Sequence, residues 1–214
     1  MNKVNRAWAK DIFSHYGKEF EPTLILENED FFIMDWRDKH GSGNLATRYI
    51  VDKKKGDLII KGDAGGCIAS WYNEVTVENL VRYVNSVWYF IGKMNCSTNK
   101  YSYRHEDVEA DLEETKQECL KLLREDNLFI EVTEEELEED FREMKEILGD
   151  MRLSEDTQYP SKLTDLMGKY DPDWWEGAFS SLGKRIDKRI YLWVYGYQEG
   201  VERLRGDEFV RKDI

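Results

Sequence analysis

The chain has 214 residues and a formal net charge of −13, with 44 Asp or Glu against 31 Lys or Arg. Residues 106–150 hold 19 acidic and 5 basic side chains, a net charge of −14, so the rest of the chain is close to neutral. A negative field this concentrated repels nucleic acid and attracts basic protein surfaces, which argues against direct nucleic-acid binding. An apolar content of 41% excludes disorder of the whole chain.

The first half of the chain predicts one helix and then a sheet. Apolar residues recur at helical spacing from Val4 to Tyr16. Five short strands follow, separated by turn signals: Thr23–Glu27, Phe31–Arg37, Ala46–Asp52, Asp57–Lys61 and Gly66–Trp71. Connections this short imply hairpins, so the pattern predicts an antiparallel β-meander.

The second half predicts helices. Their expected ranges are Val77–Met94 with a break at Asn85–Ser86, Glu106–Arg124, Thr133–Gly149 and Ile186–Leu204. Thr76 is a natural N-cap for the first of them, and Thr133 with Glu136 forms a capping box for the third. Residues 152–182 are less regular and contain Pro, Gly and Ser. This range is expected to be an irregular segment.

The order of elements predicts an α+β fold, with an N-terminal helix, an antiparallel β-meander and then several helices, including a strongly acidic helical pair. We expect three segments. Residues 1–104 form an α+β domain with the antiparallel sheet, and residues 105–151 form the acidic helical pair as a subdomain or hairpin. Residues 152–214 are an irregular segment and a helix that packs back on the sheet domain.

The three cysteines, Cys67, Cys96 and Cys119, are odd in number and lack Cys-x-x-Cys spacing. That pattern argues against a disulfide framework and against a structural zinc site. No apolar run approaches 18 residues, and the polar N-terminus lacks the hydrophobic stretch of a secretory signal. We therefore expect a soluble, cytoplasmic protein of a bacterium or an infected cell, without a membrane partner.

The acidic helices are the most specific candidate site. Carboxylates three and four residues apart recur on each helical turn, about 5.4 Å along the axis. Two such helices side by side have a charge density within a factor of a few of a nucleic-acid backbone. Two interpretations stay open: a solvated face that keeps the protein soluble, or a surface that imitates nucleic acid. Two adjacent Trp residues in the expected loop at 171–175 are candidate interface anchors. The candidate partner-binding residues are Glu113, Glu114, Glu131, Glu134, Glu135, Glu138, Glu139, Asp140, Glu143, Glu146, Trp174 and Trp175.

Other chemistry has weaker signals. The Gly-rich turn at 61–66 lacks the Gly-Lys-Ser/Thr ending of a phosphate-binding loop, and we interpret it as a tight β-turn. Asp35 and Asp63 are the carboxylates that a metal-dependent enzyme would use, although His40 and His105 show no metal-ligand spacing with them. Cys67 lies in an apolar strand and is interpreted as a small buried residue. No cofactor is predicted.

A basic cluster at the start of the last helix is interpreted as pairing with acidic helices of the same chain; it comprises Lys184, Arg185, Lys188 and Arg189.

Three segments resemble small uncharacterised proteins of bacteriophages and integrated mobile elements. They are DLIIKGDAGGCIASWY at Asp57–Tyr72, VWYFIGKMNCS at Val87–Ser97 and GKRIDKRIYLWVYGYQEGVERL at Gly183–Leu204. They cover about a quarter of the chain and carry no catalytic motif. The resemblance implies a host-takeover or counter-defence role, because acidic proteins of that origin include anti-CRISPR inhibitors that occupy the DNA-binding groove of a Cas effector.

Three functional hypotheses follow. The leading one is a phage-encoded inhibitor that binds a basic host protein, such as the CRISPR-Cas nuclease Cas9 or its RNA complex, as a nucleic-acid mimic. The alternative is a metal-dependent enzyme that acts on nucleic acid or a nucleotide signal, with Asp35 and Asp63 holding Mg²⁺. The third is a structural or assembly factor of the phage, in which the long helices mediate self-association. A homodimer is a further candidate partner state.

Overall fold

The computed structural model describes residues 1, 3–15, 19–41, 43–125, 130–154 and 156–206. Its contacts divide the chain into two compact units. Unit 1 comprises Met1–Lys100 and Asp187–Ile214, and unit 2 comprises Tyr101–Ile186. The predicted segment boundaries lie after residues 104 and 151, whereas unit 2 begins at Tyr101 and ends at Ile186.

The fold is α+β, as predicted from the sequence: an N-terminal helix, a six-stranded antiparallel meander and then several helices. The helices are α1 (Lys3–His15), α2 (Val77–Asn85), α3 (Val87–Gly92), α4 (His105–Arg124), α5 (Glu134–Gly149), α6 (Ser161–Tyr170) and α7 (Lys188–Arg205), with a short 3₁₀ helix at Ala178–Ser181. The strands are β1 (Phe20–Glu27), β2 (Phe31–Asp38), β3 (Thr47–Asp52), β4 (Asp57–Gly62), β5 (Gly65–Ser70), β6 (Met94–Ser97), β7 (Tyr101–Tyr103) and β8 (Lys184–Ile186).

The sheet of unit 1 has the strand order β1-β2-β3-β4-β5-β6, and every neighbouring pair is antiparallel. The Gly-rich segment is the two-residue hairpin turn between β4 and β5, as interpreted from the sequence, with Gly62 opposite Gly65. Gly65 has a φ of +86°, a conformation that glycine adopts without the steric cost of a Cβ atom. This turn therefore allows β4 and β5 to pair as a tight hairpin.

Helix α7 covers one face of this sheet at close range. The Tyr49 hydroxyl on β3 donates a hydrogen bond to the Trp193 carbonyl oxygen at 2.9 Å. A Cβ atom at Gly196 would lie 2.5 Å from that same hydroxyl oxygen, and one at Gly200 would lie 2.6 Å from the Met34 methyl carbon. Contacts this short require glycine at the helix surface. The covered face, called the inner face below, thus packs directly against the α7 backbone.

Unit 2 has its own core, to which α4, α5, α6 and the 3₁₀ helix contribute. Strands β7 and β8 pair antiparallel, with Tyr101 opposite Ile186, so the first and last residues of the unit are neighbours. In unit 1, the Asp187 N–H donates to the Lys100 carbonyl oxygen at 3.0 Å. The chain therefore leaves unit 1 and returns to it at adjacent residues, and unit 2 is an insertion between β6 and α7.

Four elements differ from the sequence expectations. Met94 begins strand β6 instead of continuing a helix, because its backbone pairs with Ala69 of β5. Helix α6 lies within the segment expected to be irregular, and β7 and β8 were not predicted. The break at Asn85–Ser86 and the N-cap at Thr76, whose side chain accepts from the Asn79 N–H, are confirmed. Tyr16, the expected end of the first helix, lies outside the described residues.

Replacing Gly196 by Ala is expected to lower the free energy of unfolding by about 1–3 kcal/mol, because the new methyl group overlaps the buried Tyr49 hydroxyl. Gly200→Ala should cost less, since it meets the flexible end of Met34. A Cβ atom at Gly92 would meet none of the described atoms within 4 Å, so Gly92→Ala is the control with little change. Urea unfolding followed by circular dichroism measures all three, and equal midpoints would contradict the close approach.

Candidate protein-interaction surface

Helices α4 and α5 pack against each other along an apolar seam in unit 2. Leu112 and Leu120 of α4 and Leu137 and Met144 of α5 are buried in the same core cluster. The predicted capping box starts α5, because the Thr133 side chain accepts from the Glu136 N–H while the Glu136 carboxylate accepts from the Thr133 N–H. With their apolar sides buried, the two helices place most of their carboxylates on the surface.

An open groove of about 1000 Å³ lies between the exposed sides of these helices. Its lining includes seven carboxylates, three basic side chains and three apolar residues. These are Glu106, Glu109, Glu113, Glu134, Glu135, Glu138 and Glu139, then Lys116, Arg142 and Lys145, then Ala110, Leu112 and Phe141. We call this feature the acidic groove.

The basic residues of the acidic groove already bind its carboxylates. The Lys116 ammonium group lies 2.9 Å from a Glu113 oxygen and 3.3 Å from a Glu138 oxygen, so it joins α4 to α5. Hydrogen bonds to Glu113 and Glu138 outweigh partial burial and raise the pKa of Lys116. Lys145 makes a second link between the helices, 3.4 Å from Glu109. These ion pairs therefore hold α4 and α5 together across the acidic groove, although carboxylates outnumber basic side chains in its lining.

Two further ion pairs involve α5. Arg124 donates to the Glu134 carboxylate through Nε at 2.9 Å and through Nη2 at 3.2 Å, and these hydrogen bonds lower the pKa of Glu134. Arg142 pairs with Glu139 within the helix. Within the described residues, Glu135 forms no ion pair. Seven carboxylates against three cations leave the lining net negative.

The structure separates the predicted acidic residues into three groups. Glu113, Glu134, Glu135, Glu138 and Glu139 line the acidic groove. Glu114, Glu131 and Glu146 are exposed outside it, and none forms an ion pair in the part of the chain that the structure describes. Asp140 and Glu143 face other elements of unit 2.

Asp140 and Glu143 are engaged inside unit 2 because α6 packs beside α5. The Asp140 carboxylate accepts from the Lys169 ammonium group at 2.5 Å and from the Tyr170 hydroxyl at 2.6 Å. Glu143 forms an ion pair with Lys162. Helix α6 was not predicted, so the residues that bind these two carboxylates were not identified from the sequence. We therefore place them outside the candidate interaction surface.

The two Trp residues have different environments. Trp174 is half-buried, packs against the core cluster and lies 5.9 Å from Tyr159 between ring centroids. Trp175 is 57% exposed and contacts Trp174 edge to face. Neither lines the acidic groove. Trp175 is therefore the one of this pair that a partner can reach.

Sequence reasoning omitted Glu106 and Glu109 from the candidate site, although both line the acidic groove. The sequence does contain a pattern that groups them. Acidic and basic residues recur at spacings of three and four along α4 and so share one helical face: Glu106, Glu109, Glu113 and Lys116. What was missing was the side of α4 that α5 covers. Only the packing of the helices identifies that face.

The basic cluster of the sequence is divided between the units. Arg185 of β8 donates to Asp111 of α4 at 2.8 and 2.5 Å, so its pairing with an acidic helix of the same chain is confirmed. The Lys184 ammonium group lies 4.1 Å from the Tyr101 ring centroid. In unit 1, Arg189 pairs with Asp187 at 2.7 Å. These contacts account for three of the four basic residues within their own units.

The residues considered for catalysis lie apart. Asp35 is buried on β2 and accepts from Arg48 at 2.6 and 2.8 Å and from Arg37 at 2.5 Å. Asp63 is an exposed turn residue. Cys67 is buried, and burial raises its pKa to about 12, so it is a neutral thiol at neutral pH. Among the described residues, no group of three or more His, Cys, Asp or Glu is placed to hold a metal ion.

Protein-family models, curated proteins and solved structures were compared with the chain, and none of them matches it. Among the helices described, none is both long enough and apolar enough to cross a membrane. The interpretation of the surface therefore rests on its geometry and charge.

Asp111→Asn is expected to destabilise unit 2 by about 1–3 kcal/mol at pH 7, since it removes charged hydrogen bonds to Arg185 and Gly183. Burial raises the pKa of Asp111, but those hydrogen bonds outweigh it, so its pKa lies below the usual value. The stabilisation is therefore present above the unfolded-state pKa of about 3.9 and disappears as pH falls through the folded pKa.

Urea unfolding at neutral and at acidic pH measures this difference between Asp111→Asn and the original chain. Glu118→Gln is the matched control, because Glu118 is an exposed acid on the same helix. A destabilisation by Asp111→Asn that persists unchanged at the acidic pH would contradict the assignment to an ionised carboxylate.

Proposed function

We propose that the protein is an inhibitory binding protein whose unit 2 imitates nucleic acid. Its acidic groove binds a Lys/Arg-rich surface that another protein uses to hold DNA or RNA. The observation that carries this proposal is the concentration of excess negative charge along a groove between two packed helices.

The distribution of charge between the units supports it. Unit 2 contains 25 acidic and 11 basic residues, a net charge of −14, whereas unit 1 contains 19 acidic and 20 basic residues. Negative charge that served solubility alone would be distributed over both units. Its concentration in unit 2 favours an interaction surface over a general solvation effect.

The spacing of the carboxylates is also suitable. Helix α5 has 16 residues, eight of them acidic, over about 24 Å of helix axis. That is roughly one carboxylate for every 3 Å, compared with one phosphate per about 3.4 Å of axis on each strand of B-DNA. Like charges this close destabilise a helix by a few tenths of a kcal/mol per pair. A binding role explains why such a cost is retained.

The partner is therefore a protein with a basic nucleic-acid channel. The resemblance to phage and mobile-element proteins favours a bacterial host protein in the cytoplasm, and a CRISPR-Cas nuclease or its RNA complex fits this description. Trp175, an exposed aromatic side chain of unit 2, is suited to a short-range contact. Electrostatic attraction provides most of the orientation and rate of association.

The decisive experiment compares two variants of equal net charge. The groove variant replaces five lining carboxylates by Gln: Glu106, Glu109, Glu113, Glu135 and Glu139. The matched control replaces five exposed carboxylates outside the groove: Glu114, Glu118, Glu125, Glu131 and Glu146. Each is added to a purified Cas9–guide RNA complex, and binding of target DNA by that complex is measured.

The original chain is expected to displace DNA at low salt and to lose affinity as ionic strength rises. The groove variant should compete at least tenfold more weakly, a loss of about 1.4 kcal/mol in binding, whereas the control should change much less. Equal losses would indicate bulk charge instead of the groove. No competition by the original chain would exclude this nuclease, and a salt-graded pull-down from bacterial lysate would then test other nucleic-acid-binding proteins.

A further inference from the structure

The second face of the sheet in unit 1, called the outer face below, carries an aliphatic row. The strand register places Leu26 opposite Ile33, Ile33 opposite Ile50, Ile50 opposite Ile59, and Ile59 opposite Ile68. These five side chains, one from each of β1 to β5, therefore form a line across the sheet, spaced about 4.8 Å apart. We call this line the aliphatic row.

The aliphatic row is accessible. Leu26 is 41% and Ile68 is 37% exposed at its two ends, and Ile33, Ile50 and Ile59 between them are half-buried. Alternate residues of the same strands, such as Val51 and Leu58, are buried on the inner face. An apolar line across five strands is unusual for a solvated sheet face, which is normally polar.

Pairs of like charge flank the centre of the aliphatic row, positive on one side and negative on the other. Two residues to one side of Ile50 and Ile59, Arg48 lies opposite Lys61. Two residues to the other side, Asp52 lies opposite Asp57. Like charges directly opposite each other destabilise a sheet, so both pairs carry a cost within one chain.

Neighbouring side chains do not cancel this pattern. Arg48 and Arg37 share the single carboxylate of Asp35, which leaves the first side net positive with Lys61. On the second side, the turn residues Lys53 and Lys54 pair with Glu27 and Asp30. Among the described residues, Asp52, Asp57 and Lys61 form no ion pair.

We propose that the outer face binds a second copy of this chain about a two-fold axis that lies along the aliphatic row. A rotation of 180° about this line keeps each strand over its own counterpart and exchanges the two flanking sides. The row then packs on the row of the second copy, while Lys61 faces the second copy's Asp57 and Arg48 faces its Asp52. One pattern of charges is thereby its own complement, as a two-fold interface requires.

The face is better suited to this contact than the free edge of β1. Pro22 lies on the edge strand β1, and the register shifts between Leu24 and Leu26, so the free edge of that strand is interrupted. Proline and bulges of this kind discourage edge-to-edge pairing. Stacked sheets instead pack about 10 Å apart with strands within about 30° of parallel or antiparallel.

Sedimentation equilibrium of the full chain tests the proposal. The original chain is expected to sediment at twice its mass of 25.4 kDa at high concentration and to dissociate on dilution. Lys61→Glu or Asp57→Lys alone places like charges across both halves of the interface and should weaken dimerisation about tenfold. The double variant Lys61→Glu/Asp57→Lys restores opposite charges and should regain the original affinity.

A mixture of the two single variants is the measurement that tests the proposed charge pairing most directly. In a mixed pair, the new carboxylate of the Lys61→Glu copy faces the new ammonium group of the Asp57→Lys copy. The unchanged Asp57 of the first copy faces the unchanged Lys61 of the second, so the mixture should dimerise better than either variant alone. Circular dichroism checks that each variant is folded. Ile50→Thr/Ile59→Thr, which keeps β-branched residues in the strands, should abolish the dimer.

Three results would overturn the proposal. The first is a monomer at all concentrations up to about 1 mM. The second is a dimer that Ile50→Thr/Ile59→Thr leaves intact, since the contact would then lie elsewhere. The third is a failure of both the double variant and the mixture to recover dimerisation, because the two-fold axis along the aliphatic row requires that recovery.

Discussion

The close packing of α7 on the inner face of the sheet is the constraint on which the organisation of this protein depends. The helix backbone approaches Tyr49 and Met34 so nearly that Gly196 and Gly200 have no room for a methyl group. Since α7 completes the core of unit 1 from the far end of the chain, residues 101–186 must leave that unit and return to it. The Asp187 N–H···O=C Lys100 hydrogen bond and the β7–β8 pairing close this insertion at its base. An insertion of this kind can acquire a very different surface without altering the core that carries it.

Unit 2 tolerates its charge through a small number of well-placed contacts. The capping box at Thr133 and the helix dipole favour acidic residues in the first turn of α5. Lys116 and Lys145 link α4 to α5 between facing carboxylates, and Arg185 holds α4 to β8 through Asp111. Exposed ion pairs of this type contribute little singly. Their position between like charges explains how two acidic helices remain side by side around one apolar seam.

The proposed interfaces lie in different units and depend on different physics. The acidic groove relies on charge, which acts over several ångströms and weakens with salt. The aliphatic row relies on burial of apolar surface, with charges that select the orientation of the second copy. A dimer formed through unit 1 would carry two acidic units, and a target with two basic sites would then bind with avidity. Self-association and inhibition are in this way compatible roles for one chain.

Much of the fold follows from local patterns in the sequence. Alternating apolar residues and Gly, Asn and Asp turns predicted the first five strands of the meander within a few residues, and Thr76 and Thr133 marked helix starts through their side-chain caps. The concentration of acid in residues 106–150 is likewise a property of the sequence alone. These features depend on neighbours within a few residues, which a linear pattern records.

Tertiary structure decided what depends on distant partners. Strands β6, β7 and β8 are three or four residues long and exist through pairing with other strands, so their own sequences carry little signal. The limits of unit 2 follow from where the chain returns to its starting point. Which carboxylates line the acidic groove depends on how α4, α5 and α6 pack, because α6 engages Asp140 while Glu135 stays exposed. The aliphatic row exists only through strand register, since its five members are spread from residue 26 to residue 68. Helical and strand periodicity can place a residue on a face of its own element, but only packing determines what that face meets.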